Sequence, residues 1–192
     1  MPYQKITRLI AELVRIDKFD QHLIKEVFEP VSYRKSHVIV SSGDIARYMY
    51  FINTGYLRLY HIDGDGEEVT NHINCPMGFM TAFNSYITQT RSHEIFECIT
   101  DCELLRITRG NLDELLKHNQ RWAELGKILY EEIIRYNEQK VKDQVSLTTK
   151  QRYFNLVEQL PDIMQQVPLS YIASFMGIKP DSLSRIHREV TT

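Results

Sequence analysis

No run of this sequence is apolar for long enough to cross a bilayer. The stretch MPYQKITRLIAELVRID mixes charged residues through its apolar positions, where a signal peptide would keep a continuous apolar block. A cytoplasmic protein with no membrane partner is expected. Cysteine is scarce: Cys75, Cys98 and Cys102 are odd in number and show no CxxC spacing. Neither a disulfide framework nor a zinc knuckle is indicated, four thiolates for an iron–sulfur cluster are lacking, and reduced, buried thiols are expected. There is no glycine-rich phosphate loop and no nucleophile elbow. His61, His72 and His93 lack the HxH spacing with a following glutamate that a cupin-type metal site would use. Neither an enzyme nor a metal centre is expected. A dominant charge is missing too: 23 Lys and Arg face 25 Asp and Glu, and residues 147–192 hold 5 basic and 4 acidic side chains. Bulk charge therefore gives little support for a nucleic-acid partner.

What is present is a chain of 192 residues, 43% hydrophobic, enough for one good core or two small domains. Ile6, Leu9, Ile10 and Leu13, then Leu23, Ile24, Val27 and Phe28, recur at helical spacing, and Asp17 is placed to cap the second of two short helices. From about residue 31 to 108 the pattern turns to short β-rich runs, SHVIV, MYFINTGYLRLYHI, EVTNHIN, EIFECIT and CELLRIT, separated by turn residues. Tyr48 to Ile62, Asp63-Gly64-Asp65-Gly66 and Glu68-Val69-Thr70 read as a hairpin. Many short strands at this spacing predict a β-barrel or jelly roll.

From Asn111 to Ser146 only Gly126 interrupts the helical propensity, and one long helix is predicted. Trp122, Gly126, Leu129, Ile133 and Tyr136 recur at spacings of 4, 3, 4 and 3, a coiled-coil seam, while Leu125, Ile128 and Ile134 occupy another face. The reading is that the seam pairs with the same helix of a second subunit while the other face packs on the β-domain. Burial of the helix within one subunit is the alternative.

The final stretch is richest in signals. LTTKQRYFNLVEQL opens on capping threonines and stops at Pro161. Pro168 then starts a helix carrying Tyr171, Ile172, Phe175 and Met176, and Gly177 can take the left-handed conformation that ends it. Pro180 suits the first turn of the next helix, Asp181 and Ser182 complement its positive end, and Leu183 and Ile186 face the core. Ser184, Arg185 and Arg188 are left outside. Two short helices joined by three residues, the second basic near its start, make a helix-turn-helix whose second helix enters the DNA major groove. Arg185 is the candidate base reader, since its planar fork can bond O6 and N7 of guanine together. Lys179, Ser184 and Arg188 suit phosphates, and Asp181 can accept from a cytosine amino group.

A barrel with Gly43, Asp44, Gly55 and Gly64 in SSGDIARYMYFINTGYLRLYHIDGDGEE, a long helix, and a C-terminal IASFMGIKPDSLSRIHRE resemble the cyclic AMP receptor protein/fumarate-nitrate reduction regulator (CRP/FNR) family. The resemblance covers nearly the whole chain. It implies an α+β protein in three parts: residues 1–110 as an effector-sensing, cyclic-nucleotide-binding-like barrel, 111–146 as a dimerisation helix, and 147–192 as a winged helix-turn-helix with a small wing. It implies a homodimer on double-stranded DNA, with RNA polymerase as a further candidate partner and a small-molecule effector. Family members that bind cyclic nucleotides use a glycine and a glutamate for the ribose, then an arginine and serine for the phosphate. In PMGFMTAFNSYITQTRSHEIFECIT, Gly78 is present, Phe79 stands at the glutamate position, and Arg91-Ser92 resemble the phosphate pair across a longer loop. Phenylalanine cannot accept a ribose hydrogen bond, so this degenerate cassette predicts an effector other than a cyclic nucleotide. The competing reading is a ligand-binding or protein-interaction module whose terminal helices dock on a protein.

Overall fold

The computed structural model describes residues 1–74 and 78–191. Cys75, expected as a buried thiol, lies outside the described residues, while Cys98 and Cys102 are buried and free. Helices α1 (Gln4–Leu13) and α2 (Lys18–Val27) come first. Asp17 caps α2 as its position suggests, accepting from the amides of Phe19 and Asp20, and Asp20 returns the bond to the Asp17 amide.

The strands are β1 (Glu29–Tyr33), β2 (Val38–Val40), β3 (Tyr48–Thr54), β4 (Leu57–Ile62), β5 (Glu68–Ile73), β6 (Phe79–Met80), β7 (Ile95–Cys98) and β8 (Cys102–Thr108), with a short helix α3 (Phe83–Thr88) after β6. They form two four-stranded antiparallel sheets, β1-β8-β3-β6 and β2-β7-β4-β5, a jelly-roll-like barrel whose core takes side chains from both. The hairpin across Asp63–Gly66 forms between β4 and β5, its turn tied by the Asp63 carboxylate to the amides of Asp65 and Glu67. The run before it, however, is two strands in different sheets, divided at Gly55. That residue has φ +99°, and a Cβ there would stand 2.6 Å from both the Asp101 carbonyl and the Cys102 sulfur. Only glycine lets the chain change sheets at this point.

The single helix expected over 111–146 is also divided. α4 (Arg109–His118) ends at Asn119, whose backbone is extended and whose side chain accepts the Trp122 amide to cap α5 (Gln120–Ser146). A capping bond at an asparagine outweighs the continuous helical propensity around it. The break lets α4 fold back on α5 closely enough that a Cβ on Gly126 would meet Leu116 at 3.0 Å. Trp122 is buried against α2, its indole N–H donating to Asp20 at 3.0 Å. The expected seam therefore faces inward: Trp122 and Gly126 are buried, and Leu129, Ile133 and Tyr136 turn toward the barrel of their own chain. The outward face carries Ile134, Val141 and Val145, 58%, 62% and 84% exposed, with the half-exposed Tyr130 at its border, where it also reaches the barrel through Phe83. Within the chain Trp122 and Gly126 are fully covered, while Leu129, Ile133 and Tyr136 are half-buried.

Four helices follow: α6 (Thr149–Gln159), α7 (Ile163–Gln166), α8 (Leu169–Met176) and α9 (Pro180–Thr191). Thr148 and Gln151 form a capping box on α6. The connection between α6 and α8 holds α7, which contributes the buried Ile163. Gly177 has φ +66° and ends α8, with the Ile178 amide reaching back to the Ala173 carbonyl. Among the described residues, 147–191 contain only helices and turns, without the strands of a wing.

This helical unit sits on the edge of the second sheet. Arg58 of β4 is 1% exposed; its Nε and Nη2 donate to Glu97 of β7 at 2.9 and 2.7 Å, and Nη1 lies 2.7 Å from Glu68 of β5. Burial works against the charge, but the two carboxylates outweigh it and hold the guanidinium more firmly protonated than usual. Its faces are covered by Tyr60 and by Tyr171 of α8, at 3.8 and 3.5 Å from the guanidinium carbon to the ring centroids. Next to it, the Ser174 hydroxyl accepts from the Thr70 amide and donates to the Glu68 carbonyl, closing the open edge of β5. Ile73 and Ile99 of the barrel join the core of the helical unit. Arg58→Met should destabilise the chain by about 3–5 kcal/mol in urea unfolding, because Glu97 is left buried without its partner. Tyr171→Ala should cost less and act mainly on the docking, read as faster amide exchange in α8 with β3 and β8 unchanged. Equal loosening of both would show the two units to be one cooperative body.

Candidate functional site

Two regions can engage other molecules. The first is the outer face of α9. Pro180 opens the helix, and the Ser182 and Leu183 amides bond back to the Lys179 carbonyl. Leu183 is fully buried, and on the inner side the His187 ring meets the Tyr153 hydroxyl at 2.6 Å. These contacts fix the rotation of α9 about its axis. Lys179, Pro180, Asp181, Arg185 and Arg188 are then exposed, while Ser182 and Ser184 are half-buried. The Ser184 hydroxyl donates to the Pro180 carbonyl and Arg188 reaches the Ser184 carbonyl at 3.4 Å. Arg185 makes no hydrogen bond or ion pair among the described residues, so its full fork faces solvent. The sequence-predicted residues thus share one surface, with three cations and one carboxylate on it.

The second region is a cavity of about 160 Å³ between the barrel and α5. Phe79 lines it and packs on Phe51, ring centroids 5.1 Å apart. Gly78 has φ +74°, and a Cβ there would stand 3.2 Å from the Phe51 ring. The phosphate pair expected from the cassette is not brought to this cavity. Arg91 is exposed, bridged through its backbone to Ile45. Ser92 is buried, with its hydroxyl donating to the Glu94 carbonyl and accepting from the Glu94 amide. Among the described residues, no lysine or arginine lines the cavity; the ionisable groups there are Glu94, Glu132 and His72, together with the phenols of Tyr130 and Tyr136. Glu94 accepts from Asn71 at 2.7 Å, and Glu132 pairs with Arg135.

Sequence reasoning weighed His72 only as a metal ligand, and among the described residues no group of three or more His, Cys, Asp or Glu is gathered that could hold a metal ion. Instead its Nδ1 is buried with no hydrogen-bond partner, and its ring lies 5.8 Å from that of Tyr136. Burial, with the Lys140 ammonium nearby, pushes its pKa down to about 4. The available signal was the alternation of EVTNHIN, which sets the β5 side chains on two faces without saying which face a helix would cover.

Comparison with known proteins agrees with this architecture. Residues 30–119 match the cyclic nucleotide-binding domain family. FixK2 from Bradyrhizobium japonicum superposes with a TM-score of 0.71 at 18% identity, over 86% of this chain and 85% of that one. A variant of CooA from Carboxydothermus hydrogenoformans gives 0.65 at 14% identity, over 95% and 84%. A protein from Eubacterium rectale described as a transcriptional regulator of the CRP/FNR family gives 0.62 at 16% identity, over 92% and 84%. No curated protein sequence matches the chain significantly. Residues 30–119 are thus similar to a cyclic nucleotide-binding domain, and the chain shares its overall fold with these solved structures. No helix among the described residues is long and apolar enough to cross a membrane.

His72 makes stability depend on pH. An unfolded histidine titrates near 6.5, so between about pH 6.5 and 4 the unfolded chain binds a proton that the folded chain refuses, and stability falls as pH falls through that window. His72→Phe should lose less stability than the parent between about pH 7 and about pH 4.5 in urea titrations. Identical pH profiles would mean that the ring titrates as if in solvent.

Proposed function

We propose that this chain, with the fold of the CRP/FNR-type regulators as premise, is a homodimeric, sequence-specific DNA-binding transcription regulator and not an enzyme. The observation that carries the reading is the outer face of α9, where Arg185 is exposed and unpaired on a helix whose rotation is fixed by Leu183 and His187. A helix pair that served packing alone would have no use for an uncommitted guanidinium flanked by Lys179 and Arg188. In the major groove, Arg185 reads guanine, Lys179, Ser184 and Arg188 hold phosphates, Asp181 selects for cytosine, and Pro180 and Ser182 set the start of the helix against the backbone. Two such helices suit a roughly palindromic operator with half-sites about 34 Å apart.

Dimerisation is assigned to the outward stripe of α5, Ile134, Val141 and Val145, with Tyr130 at its border. A monomer would leave these side chains in water at spacings that fit a second copy of the helix. The inward residues Trp122, Gly126, Leu129, Ile133 and Tyr136 carry the other side of the same helix, where an occupant of the cavity would touch it. Such an occupant biases α5 and, through it, the pair of DNA-binding units. The effector in this reading is not a cyclic nucleotide: Phe79 cannot hold a ribose and Arg91 stands away from the cavity. A cytoplasmic location and contact with RNA polymerase go with this role.

Arg185→Ala should lower operator affinity by about 1–3 kcal/mol and erase the preference for guanine at one position, with the melting temperature unchanged. Fluorescence anisotropy on operators selected from a random library measures this. Undiminished specificity would take base reading away from Arg185, and absence of any salt-sensitive DNA binding would favour the protein-interaction reading. Ile134→Glu with Val141→Glu should give a monomer by light scattering that retains the circular dichroism of the parent. A dimer that survives both changes lies on another surface.

A further inference from the structure

We propose that the cavity between the barrel and α5 takes a small, uncharged and largely apolar molecule of about one aromatic ring, which places a single hydrogen-bonding group against Nδ1 of His72. The inference deepens the regulator reading by naming the class of its effector. The binding itself is argued from the cavity alone.

Size sets the first limit. At about 160 Å³ the cavity is close to the roughly 150 Å³ engineered cavity that stays dry and binds benzene. Its walls are made largely of Met49, Leu59, Phe79, Trp122, Leu129 and Ile133, which offer contact and no hydrogen bonds apart from the Trp122 N–H, already given to Asp20. Charge sets the second. With Glu94 and Glu132 facing the space and, among the described residues, no lysine or arginine lining it, a phosphate or carboxylate would leave water for a site of its own sign. Glu132 is already neutralised by Arg135, and a neutral occupant leaves the Asn71–Glu94 hydrogen bond undisturbed.

The third limit is a buried polar atom left without a partner. The Thr81 hydroxyl donates to the Tyr48 carbonyl, but Nδ1 of His72 is buried with no partner, a cost that a protein relieves when a ligand supplies the missing bond. Tyr136 and Lys140 lie beside this ring, Glu94 and Glu132 line the same cavity, and burial with Lys140 keeps the ring neutral. A neutral imidazole nitrogen either accepts or donates, and a hydroxyl on the ligand satisfies both cases.

The test titrates the full chain with phenol, benzene and cyclic AMP, by calorimetry and by the chemical shift of the His72 ring. Phenol should bind about five- to tenfold more tightly than benzene, the worth of one hydrogen bond to a buried group. His72→Phe should erase that preference while benzene still binds, His72→Gln should restore part of it, and Leu129→Trp should fill the cavity and abolish both. Cyclic AMP should give no heat. Binding of cyclic AMP, failure of both ring compounds to bind the folded chain, or a phenol preference that survives His72→Phe would each overturn the proposal. Operator binding measured on the same preparation separates the two readings. Phenol binding without DNA binding would sink the regulator and leave this cavity assigned, and DNA binding without phenol binding would do the reverse.

Discussion

One buried cation holds the two halves of this molecule together. The Arg58 guanidinium draws Glu97 from β7, Glu68 from β5, Tyr60 from its own strand and Tyr171 from α8 to a single point. An arginine this deep is tolerable only when its charge and both of its faces are occupied, so the helical unit supplies one wall of a site that the barrel cannot complete alone. With Tyr171 committed, Ser174 falls on the free edge of β5 and satisfies a strand amide and a carbonyl that would otherwise face solvent. The three-residue turn then fixes α9 relative to α8, and the outer face of α9 points away from the barrel. The direction in which Arg185 is presented follows from where Arg58 is buried.

Helix α5 distributes the remaining tasks around its circumference. One side closes the apolar cavity through Leu129, Ile133 and Tyr136. Another borders a more polar cleft of about 550 Å³ against the helical unit, lined among others by Arg135, Lys140 and Arg152. The third is the exposed stripe ending at Val145. Lys140 ties the helix to the sheet, bonding the Asn71 carbonyl while its ammonium lies 4.9 Å from the Phe175 ring of α8. A shift of α5 on the barrel would therefore be felt at the cavity, at the α8 contact and at the stripe together. A rigid helix shared by three surfaces has few ways to move one of them alone.

The parts legible in the sequence are those written in local chemistry. Pro168, Gly177 and Pro180 punctuate the terminal helices at the observed boundaries, because proline and glycine act through their own backbone and need no distant partner. Asp17 and Thr148 announce helix starts for the same reason. The misread parts depend on what lies across the chain. Trp122, Gly126, Leu129, Ile133 and Tyr136 form a stripe in the sequence, but whether a barrel or a second helix covers it is decided by where α4 folds, and that turns on one capping bond at Asn119. Arg91-Ser92 look like a phosphate pair until the loop places one in solvent and closes the other on Glu94. Apart from Tyr60 on its own strand, the partners of Arg58 lie 10 to more than 100 positions away, and no periodicity records such a convergence.

The near neutrality of residues 147–192 looks unfavourable for binding DNA, yet net charge is the wrong measure at this range. Glu189 is paired with Lys150 at 3.7 Å, and Glu158 and Asp162 lie outside α9, leaving Lys179, Arg185 and Arg188 against the single carboxylate of Asp181 to set the field on the outer face. At physiological salt the field of exposed charges decays within about 8 Å, so a phosphate in contact with that face responds to these three cations more than to carboxylates elsewhere. Three cations are still few. Affinity for DNA rises with the number of phosphates neutralised, and with Arg185 given to a base, Lys179 and Arg188 of one subunit fall well short of the six or more contacts that give strong, salt-sensitive binding. In the proposed regulator, a recognition face this sparing in basic residues calls for a second copy, which is the role proposed for the exposed stripe on α5.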